Sequence, residues 1–367
     1  MSKILIPLYR PSLKGNETRY VLDCLRTSWI SGRGPFVGEF ERQFAAKIGG
    51  GHALATCNGT AALHLAIAAL GIGPGDEVIV PTLTYIASVN AVAYVGATPS
   101  FADCLHDTWQ IDPTDVANRI TPKTKAIVAV HLYGQSCDMN RLMTIAQRHG
   151  LLVIEDCAEA FGTSYGDRPV ALFGDVAAFS FFGNKTITTG EGGMVFSRDD
   201  GLIERCRRLR AQGLVPGREY WHDRIGYNYR MSNLAAAIGL AQLERSDELL
   251  CRKRQIAEKY FQRLSHLPFH FHREAPGTVH SYWLVSALAR SEQERDALRR
   301  TLADSKIETR PLFHPVHTMG IYPHSFLKET VAEEVAARGL NLPSWPDMSD
   351  DEIGFVAGVI EGFFRGA

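Results

Sequence analysis

Two hydrophobic spacings alternate along most of this chain. Short apolar runs at Ala53–Cys57, Val78–Pro81, Thr98–Ala102, Ala126–His131, Leu151–Glu155 and Val176–Phe182 have the length and β-branched content of buried strands. Between them lie helical spacings at Asn58 to about Leu70, Tyr85–Val95 and Met139–His149. Strands alternating with helices of this length predict βαβ units and a largely parallel sheet covered on both faces. Upstream the pattern predicts one short helix, Asn16–Thr27, and a second from about Phe36 to Ile48 with Val37, Phe40, Phe44 and Ile48 on one face. Downstream, Asn233–Leu264 is first apolar and then dense in charge, and predicts a helix leaving the large domain. A strand (Tyr282–Leu288), a helix (Glu292–Asp304), a short strand (Ile307–Arg310) and C-terminal helices follow. The expected organisation is an arm over 1–36, a large α/β domain over 37–245 and a small α+β domain over 246–367.

Composition narrows the class without naming a chemistry. A chain of 367 residues, 45% hydrophobic and 22% charged, is long enough for two cores of a globular protein. A net charge of −1 with no basic block gives no support for nucleic-acid binding or for an anionic membrane surface. The N-terminal apolar run is too short for a signal peptide, and no run is long enough to span a bilayer. Seven scattered cysteines without CxxC spacing suggest reduced thiols in a cytoplasmic protein.

Three features fall where the predicted strands end. Asn58-Gly59-Thr60 joins a strand to a helix, where free N–H groups suit a phosphate, although the same residues make an ordinary N-cap. Leu151–Glu159 is an apolar strand running into acids, so Asp156 either faces a cation at the carboxyl edge of the sheet or caps a helix. Gly174–Met194 (GDVAAFSFFGNKTITTGEGGM) places Lys185 just past a strand, between small residues that keep the backbone close. That setting suits a Schiff-base amine, against the plainer alternative of a solvated lysine. No GxGxxG, Walker A or GxSxG turn occurs, and His314-Pro315-Val316-His317 lacks the helix and glutamate of a metal motif, so no metal is expected. Together the three features match the needs of pyridoxal 5′-phosphate (PLP): an anion cradle, an acid that keeps the ring nitrogen protonated, and an amine.

At this point the sequence resembles the DegT/DnrJ/EryC1/StrS sugar aminotransferases, which belong to the fold-type I PLP enzymes. The resemblance runs through CNGTAALH (57–64), GDEVIVPTLTYIAS (75–88), HLYG (131–134), VIEDCAEAFG (153–162), the Lys185 stretch and GYNYRMSNLAAAIG (226–239). It implies an aspartate-aminotransferase-like α/β fold, with a large mostly parallel-sheet PLP domain and a smaller α+β C-terminal domain. It also implies that Lys185 holds the cofactor and shuttles the proton. Asp156 would partner the ring nitrogen, Glu159 would lie near the ring hydroxyl, and Tyr85 would stack on the ring. Gly59, Thr60 and Ser180 would cradle the phosphate. Asn228 would reach the phosphate of a neighbouring subunit, which implies a homodimer with shared active sites.

The chain departs from many relatives in carrying Phe182 where they carry histidine. The FGNK version, with YWHDRIGYNYRM (220–231) and ETRPLFHPVHTM (308–319), resembles the branch that uses L-glutamate to aminate GDP-4-keto-6-deoxy-mannose at C4. Uridine- or thymidine-linked keto sugars, an oxidised octulosonate and a non-catalytic PLP-binding regulator are the competing expectations. Arg33, Arg310 and His314 are candidates for the sugar-nucleotide side, because cations and donors suit a diphosphate. Each could equally make an interdomain ion pair or a capped turn.

Overall fold

A computed structural model describes residues 5–322 and 330–366. Residues 1–4, 323–329 and 367, at the start of the expected arm and in the expected C-terminal domain, lie outside the described residues. The parallel unit forms as the hydrophobic alternation predicts. Strands β1 (His52–Thr56), β2 (Glu77–Pro81), β3 (Thr98–Ala102), β4 (Thr124–Val130) and β5 (Leu152–Asp156) are joined by helices α3 (Gly59–Ala69), α4 (Ala87–Tyr94), α5 (Pro113–Asn118) and α6 (Met139–His149). Two further strands, β8 (Val176–Ser180) and β9 (Gly193–Ser197), the latter followed by α7 (Asp200–Arg210), complete a seven-stranded sheet in the order β1-β9-β8-β5-β4-β2-β3. Strands β2, β3, β4, β5 and β8 pair in parallel, and β9 pairs antiparallel with both β8 and β1. The β9 reversal puts the carboxyl ends of the other six strands on one edge, where ligands bind in open α/β sheets.

Side chains on the two faces of the sheet fill separate cores. On one face Val78, Val80, Val128 and Ile154 pack under α3 and α4. On another, α2 (Pro35–Ile48) lays Phe40 and Phe44 against Phe179 and Phe181, with the Phe44–Phe179 ring centroids 4.9 Å apart and the Phe40–Phe181 centroids 5.2 Å apart. Each fully buried phenylalanine stabilises by about 1.5–3 kcal/mol. This cluster therefore anchors β8, the strand that leads to Lys185. The helix α1 (Glu17–Thr27) is joined to α8 (Asn233–Glu244) through Asn16 and Tyr20, whose side chains bond Glu244 at 2.7 and 2.6 Å.

The sequence differs from the structure mainly downstream. Asn233–Leu264 is not one helix; it breaks at Arg245 (φ −108°, ψ 9°) into α8 and α9 (Ser246–Leu264). The break contains no Gly or Pro; α8 and the first turn of α9 (Leu249) share one core, and α9 then runs on into a second at Ile256, Ala257 and Tyr260. The strand expected from Tyr282 begins only at Val285, because Tyr282 adopts φ 48° while its N–H donates to His280 Nδ1. A four-stranded antiparallel sheet, β10 (His270–Phe271), β12 (Val285–Leu288), β14 (Gly339–Leu342) and β13 (Arg310–Pro311), carries α10 (Glu292–Asp304), α11 (Val331–Arg338) and α12 (Asp350–Gly366). Strands β6 (Ser164–Tyr165), β7 (Arg168–Pro169) and β11 (Thr278–Val279) form a small patch that joins the two sheets' segments. The arm adds a parallel bridge, Ile6 to Ile307, where the sequence suggested a strand from Ile307. No described helix is long and apolar enough to cross a membrane.

Candidate active site

The carboxyl edge of the large sheet opens into a cavity of about 530 Å³. Gly59, Thr60, Tyr85, Asp156, Glu159, Ser180 and Lys185 all line it. Seven positions spread over 127 residues of sequence thus converge on one space (185 − 59 + 1).

The phosphate-type turn resolves into two functions. Asn58 is the N-cap of α3, accepting from Ala61 N–H at 2.8 Å, and Ala62 N–H returns to the Asn58 carbonyl. The N–H groups of Gly59 and Thr60 keep no acceptor within the helix and lie at its positive end. Gly59 has to be glycine, since a Cβ there would stand 2.7 Å from Ser180 Cβ. Gly193 is constrained in the same way, with a Cβ 2.5 Å from the Asn58 carbonyl. Close backbone approach thus brings a helix N-terminus and the Ser180 hydroxyl side by side, the donor set a phosphate monoester takes.

Asp156 ends β5 and is buried. Ser88 Oγ donates to its Oδ2 at 2.7 Å and Ala158 N–H to its Oδ1 at 3.0 Å. Burial nevertheless pushes its carboxyl above the ordinary value, because these donors and the more distant Lys185 and His131 compensate only in part. A carboxylate left short of positive charge at the edge of a cavity fits a protonated ring nitrogen.

Lys185 follows β8 in a turn closed by its own N–H to Phe182 O at 2.9 Å. Its Nζ lies 3.6 Å from Glu159 Oε1 and 3.8 Å from the centre of the Trp283 ring. Burial lowers the amine from its usual value, and Glu159 and Asp156 oppose that shift without cancelling it. Glu159, also buried, accepts from Tyr133 N–H at 2.8 Å and is pushed up to about 7, burial again being the largest cause. With only 13% of its side chain exposed, at the wall of the cavity, Lys185 is not a solvated surface lysine. Tyr85 lies just before α4 with 57% of its surface exposed and its ring 5.5 Å from Phe313.

Four predicted residues lie elsewhere. Asn228, Arg33, Arg310 and His314 are exposed and do not line the cavity of this chain. Arg310 pairs at 2.9 Å with Glu308, two residues away in the same segment, and so not across domains. In the HxxH stretch, His317 Nδ1 lies 2.6 Å from Thr82 Oγ1 while His314 is exposed, so the two do not converge. A different trio, His131, Glu155 and Cys157, has metal-like spacing. Its atoms are already used: Cys137 N–H donates to His131 Nδ1, which leaves the proton on Nε2 for Glu155 at 3.1 Å.

Sequence reasoning missed Ser88, Trp283, Tyr133 and Phe313. Ser88 lies in the quoted TYIAS stretch, one helical turn past Thr84, and was legible as a donor at a sheet edge. Tyr133 and Phe313 lie in the quoted HLYG and ETRPLFHPVHTM stretches, and Trp283 lies outside every quoted motif.

A buried lysine of lowered basicity, an acid awaiting a cation and a helix N-terminus shaped for phosphate define a PLP enzyme of fold type I. The DegT/DnrJ/EryC1/StrS aminotransferase family profile matches residues 11–361, and the chain belongs to that family. It is 52% identical to a GDP-perosamine synthase of Escherichia coli O157:H7, over 98% of both chains. It is 50% identical to a GDP-perosamine synthase of Vibrio cholerae, over 98% of this chain and all of that one. Among solved structures, the aminotransferase TlmJ from Streptoalloteichus hindustanus superposes with a TM-score of 0.94 at 31% identity, covering 99% of each chain. The cofactor is PLP, and a structural neighbour has been solved in both PLP and pyridoxamine phosphate forms. An aminotransferase of this family takes an amino donor and a keto sugar.

Proposed function

We propose that this chain transfers the amino group of L-glutamate to C4 of GDP-4-keto-6-deoxy-mannose, yielding GDP-perosamine and 2-oxoglutarate. The observation that carries the reading is the buried Lys185 amine, held between Glu159 and the Trp283 face in the cavity that also holds Asp156. The two GDP-perosamine synthases support the choice of acceptor. PLP, when bound, supplies an aldehyde that captures amines and a ring that accepts electrons. The residues of the chain do the rest. Gly59 and Thr60 amides and the Ser180 hydroxyl bind the phosphate. Asp156 would face the ring nitrogen, Glu159 the ring hydroxyl, and Tyr85 would cover the ring face. Lys185 Nζ, its basicity lowered by burial, takes a proton from the reacting carbon of glutamate and returns one to the sugar carbon.

We also propose a homodimer in which Asn228 serves the partner's phosphate. Asn228 shares an exposed loop with Tyr220 (93% exposed) and Ile225 (89%), an apolar surface that a second copy would cover. All seven cysteines are free thiols, as in a cytoplasmic protein. Arg33, Arg310 and His314 remain candidates for the diphosphate, reached from the exposed side.

Absorbance of the purified protein tests the reading. PLP should give a bound-cofactor band that glutamate removes and GDP-4-keto-6-deoxy-mannose restores. Removal without restoration would redirect the acceptor to another keto sugar, and no band at all would end the proposal. Lys185→Ala should lower kcat by about 10⁴-fold, read from single-turnover amine transfer.

A further inference from the structure

The turn that carries Lys185 is tied to its own strand on one side only. Lys185 N–H donates to Phe182 O, and both Thr189 N–H and Thr188 Oγ1 donate to Phe181 O, each at 2.9 Å. The carbonyls of Asn184 and Lys185 accept instead from outside the large sheet. Trp283 Nε1 donates to Asn184 O at 2.8 Å, from the segment that enters β12. Tyr9 OH donates to Lys185 O at 2.9 Å, from the N-terminal arm. These donors lie 99 and 176 positions from their acceptors.

Tyr9 is itself held firmly. Leu5 and Ile6 N–H both bond Lys306 O (3.0 and 3.1 Å), Glu308 N–H bonds Ile6 O (2.8 Å), and Leu8 N–H bonds Glu308 Oε2 (3.1 Å). Behind the ring, the fully buried Lys253 lies with its Nζ 5.0 Å from the Tyr9 centroid and donates to Ser344 O at 2.7 Å. A buried ammonium is costly to desolvate, and the aromatic face offsets part of that cost. The phenol is thus fixed from the backbone side and from the ring side.

We propose that Tyr9 and Trp283 are positioning residues, which hold the two peptide units flanking the Lys185 Cα by the carbonyls of Asn184 and Lys185 and so set where the Lys185 amine stands relative to Asp156 and Glu159. This inference rests on the aminotransferase reading above. A lysine side chain has several rotatable bonds, so its amine keeps a fixed place only if the backbone beneath it does. A misplacement of an ångström at a reacting group costs orders of magnitude in rate.

The test compares wild type, Tyr9→Phe, Trp283→Phe and the double variant. Tyr9→Phe removes one oxygen and keeps the ring against Lys253. Each single variant is expected to lose about tenfold in kcat for the glutamate half-reaction, with KM for glutamate within about twofold. PLP capture by the apoprotein, followed by absorbance with no substrate present, should slow by a similar factor. The double variant should lose less than the product of the single losses, because both act on the backbone of one residue, Lys185. Thermal midpoints near wild type separate positioning from unfolding. Wild-type kcat and capture rate in Tyr9→Phe would overturn the proposal, even if Trp283→Phe failed to fold. A loss accounted for wholly by the unfolded fraction would overturn it too. Wild-type protein that takes up no PLP would overturn both this inference and the reading beneath it, a result distinct from active wild type matched by its variants.

Discussion

Glu155 and Asp156 are neighbours on β5, both buried, and they have opposite electrostatic fates. Successive side chains of a strand point to opposite faces. On its face, Glu155 accepts from His131 Nε2 and from the amides of Ala171, Phe173 and Gly174 at 2.7–2.9 Å. Burial alone would raise its carboxyl, but these donors hold it below the ordinary value. Asp156 has two close donors and stays raised. A saturated acid holds the fold together, whereas an acid left short of charge at a cavity is where a cationic ligand gains most.

Substituting the two acids separates their roles. Asp156→Asn should lower kcat by about 10²–10³-fold while the unfolding midpoint barely moves. No helix follows Asp156, so the cap alternative fails; a rate near wild type would leave Asp156 only its bonds to Ser88 and the Ala158 amide in the turn after β5. Glu155→Gln should do the converse: about 3 kcal/mol of stability lost in urea unfolding, because a buried, fully bonded charge is removed, with the activity of the folded fraction retained.

Glu159 sharpens the contrast through pH. Its folded-state value of about 7 exceeds the unfolded value near 4.5, so the folded apoprotein holds a proton that the unfolded chain releases. Stability from this group therefore falls as pH rises from about 4.5 to 7. Glu159→Gln should lack that fall, so its stability relative to wild type should climb between pH 5 and pH 8 by on the order of 2 kcal/mol. A pH-independent difference would refute the assignment. The smallest effect is expected from Ser88→Ala, about 1 kcal/mol at the Asp156 hydrogen bond. Losing that donor raises the Asp156 carboxyl further, so the activity loss should be greater at pH 6 than at pH 8.

How much of this was legible in the sequence follows the same divide between local and distant partners. The parallel unit could be read because its inner strands, such as 78–81 and 126–130, are buried on both faces and so form apolar runs; the edge strand Thr98–Ala102 is only partly buried, yet it and Met139–His149 match to the residue. The break at Arg245 could not be read, since helical spacing continues through it and only tertiary packing bends the chain. Two-residue strands such as β10 and β13 are too short to impose a period. In the site, Lys185, Asp156, Glu159 and the Gly59 turn each carry a signal in their own stretch. The residues that tune them come from far along the chain: Ser88 lies 68 positions from Asp156, and Trp283 lies 99 from Asn184.

The arm has a consequence for the order in which the protein is completed. Leu8 meets Glu308 across 300 positions, and Ile6 meets Ile307. The arm is thus synthesised 300 positions before the residue that holds it. The seven-stranded sheet, whose last strand ends at Ser197, has all its strands much earlier. During that interval a nascent chain can hold a nearly finished cavity while the carbonyl of Lys185 still lacks the Tyr9 hydroxyl. Closing so long a loop is slow relative to local folding. Maturation of the site therefore waits until residues 306–308 have been made, and a chain that stops short of Lys306 lacks the residues that hold the arm.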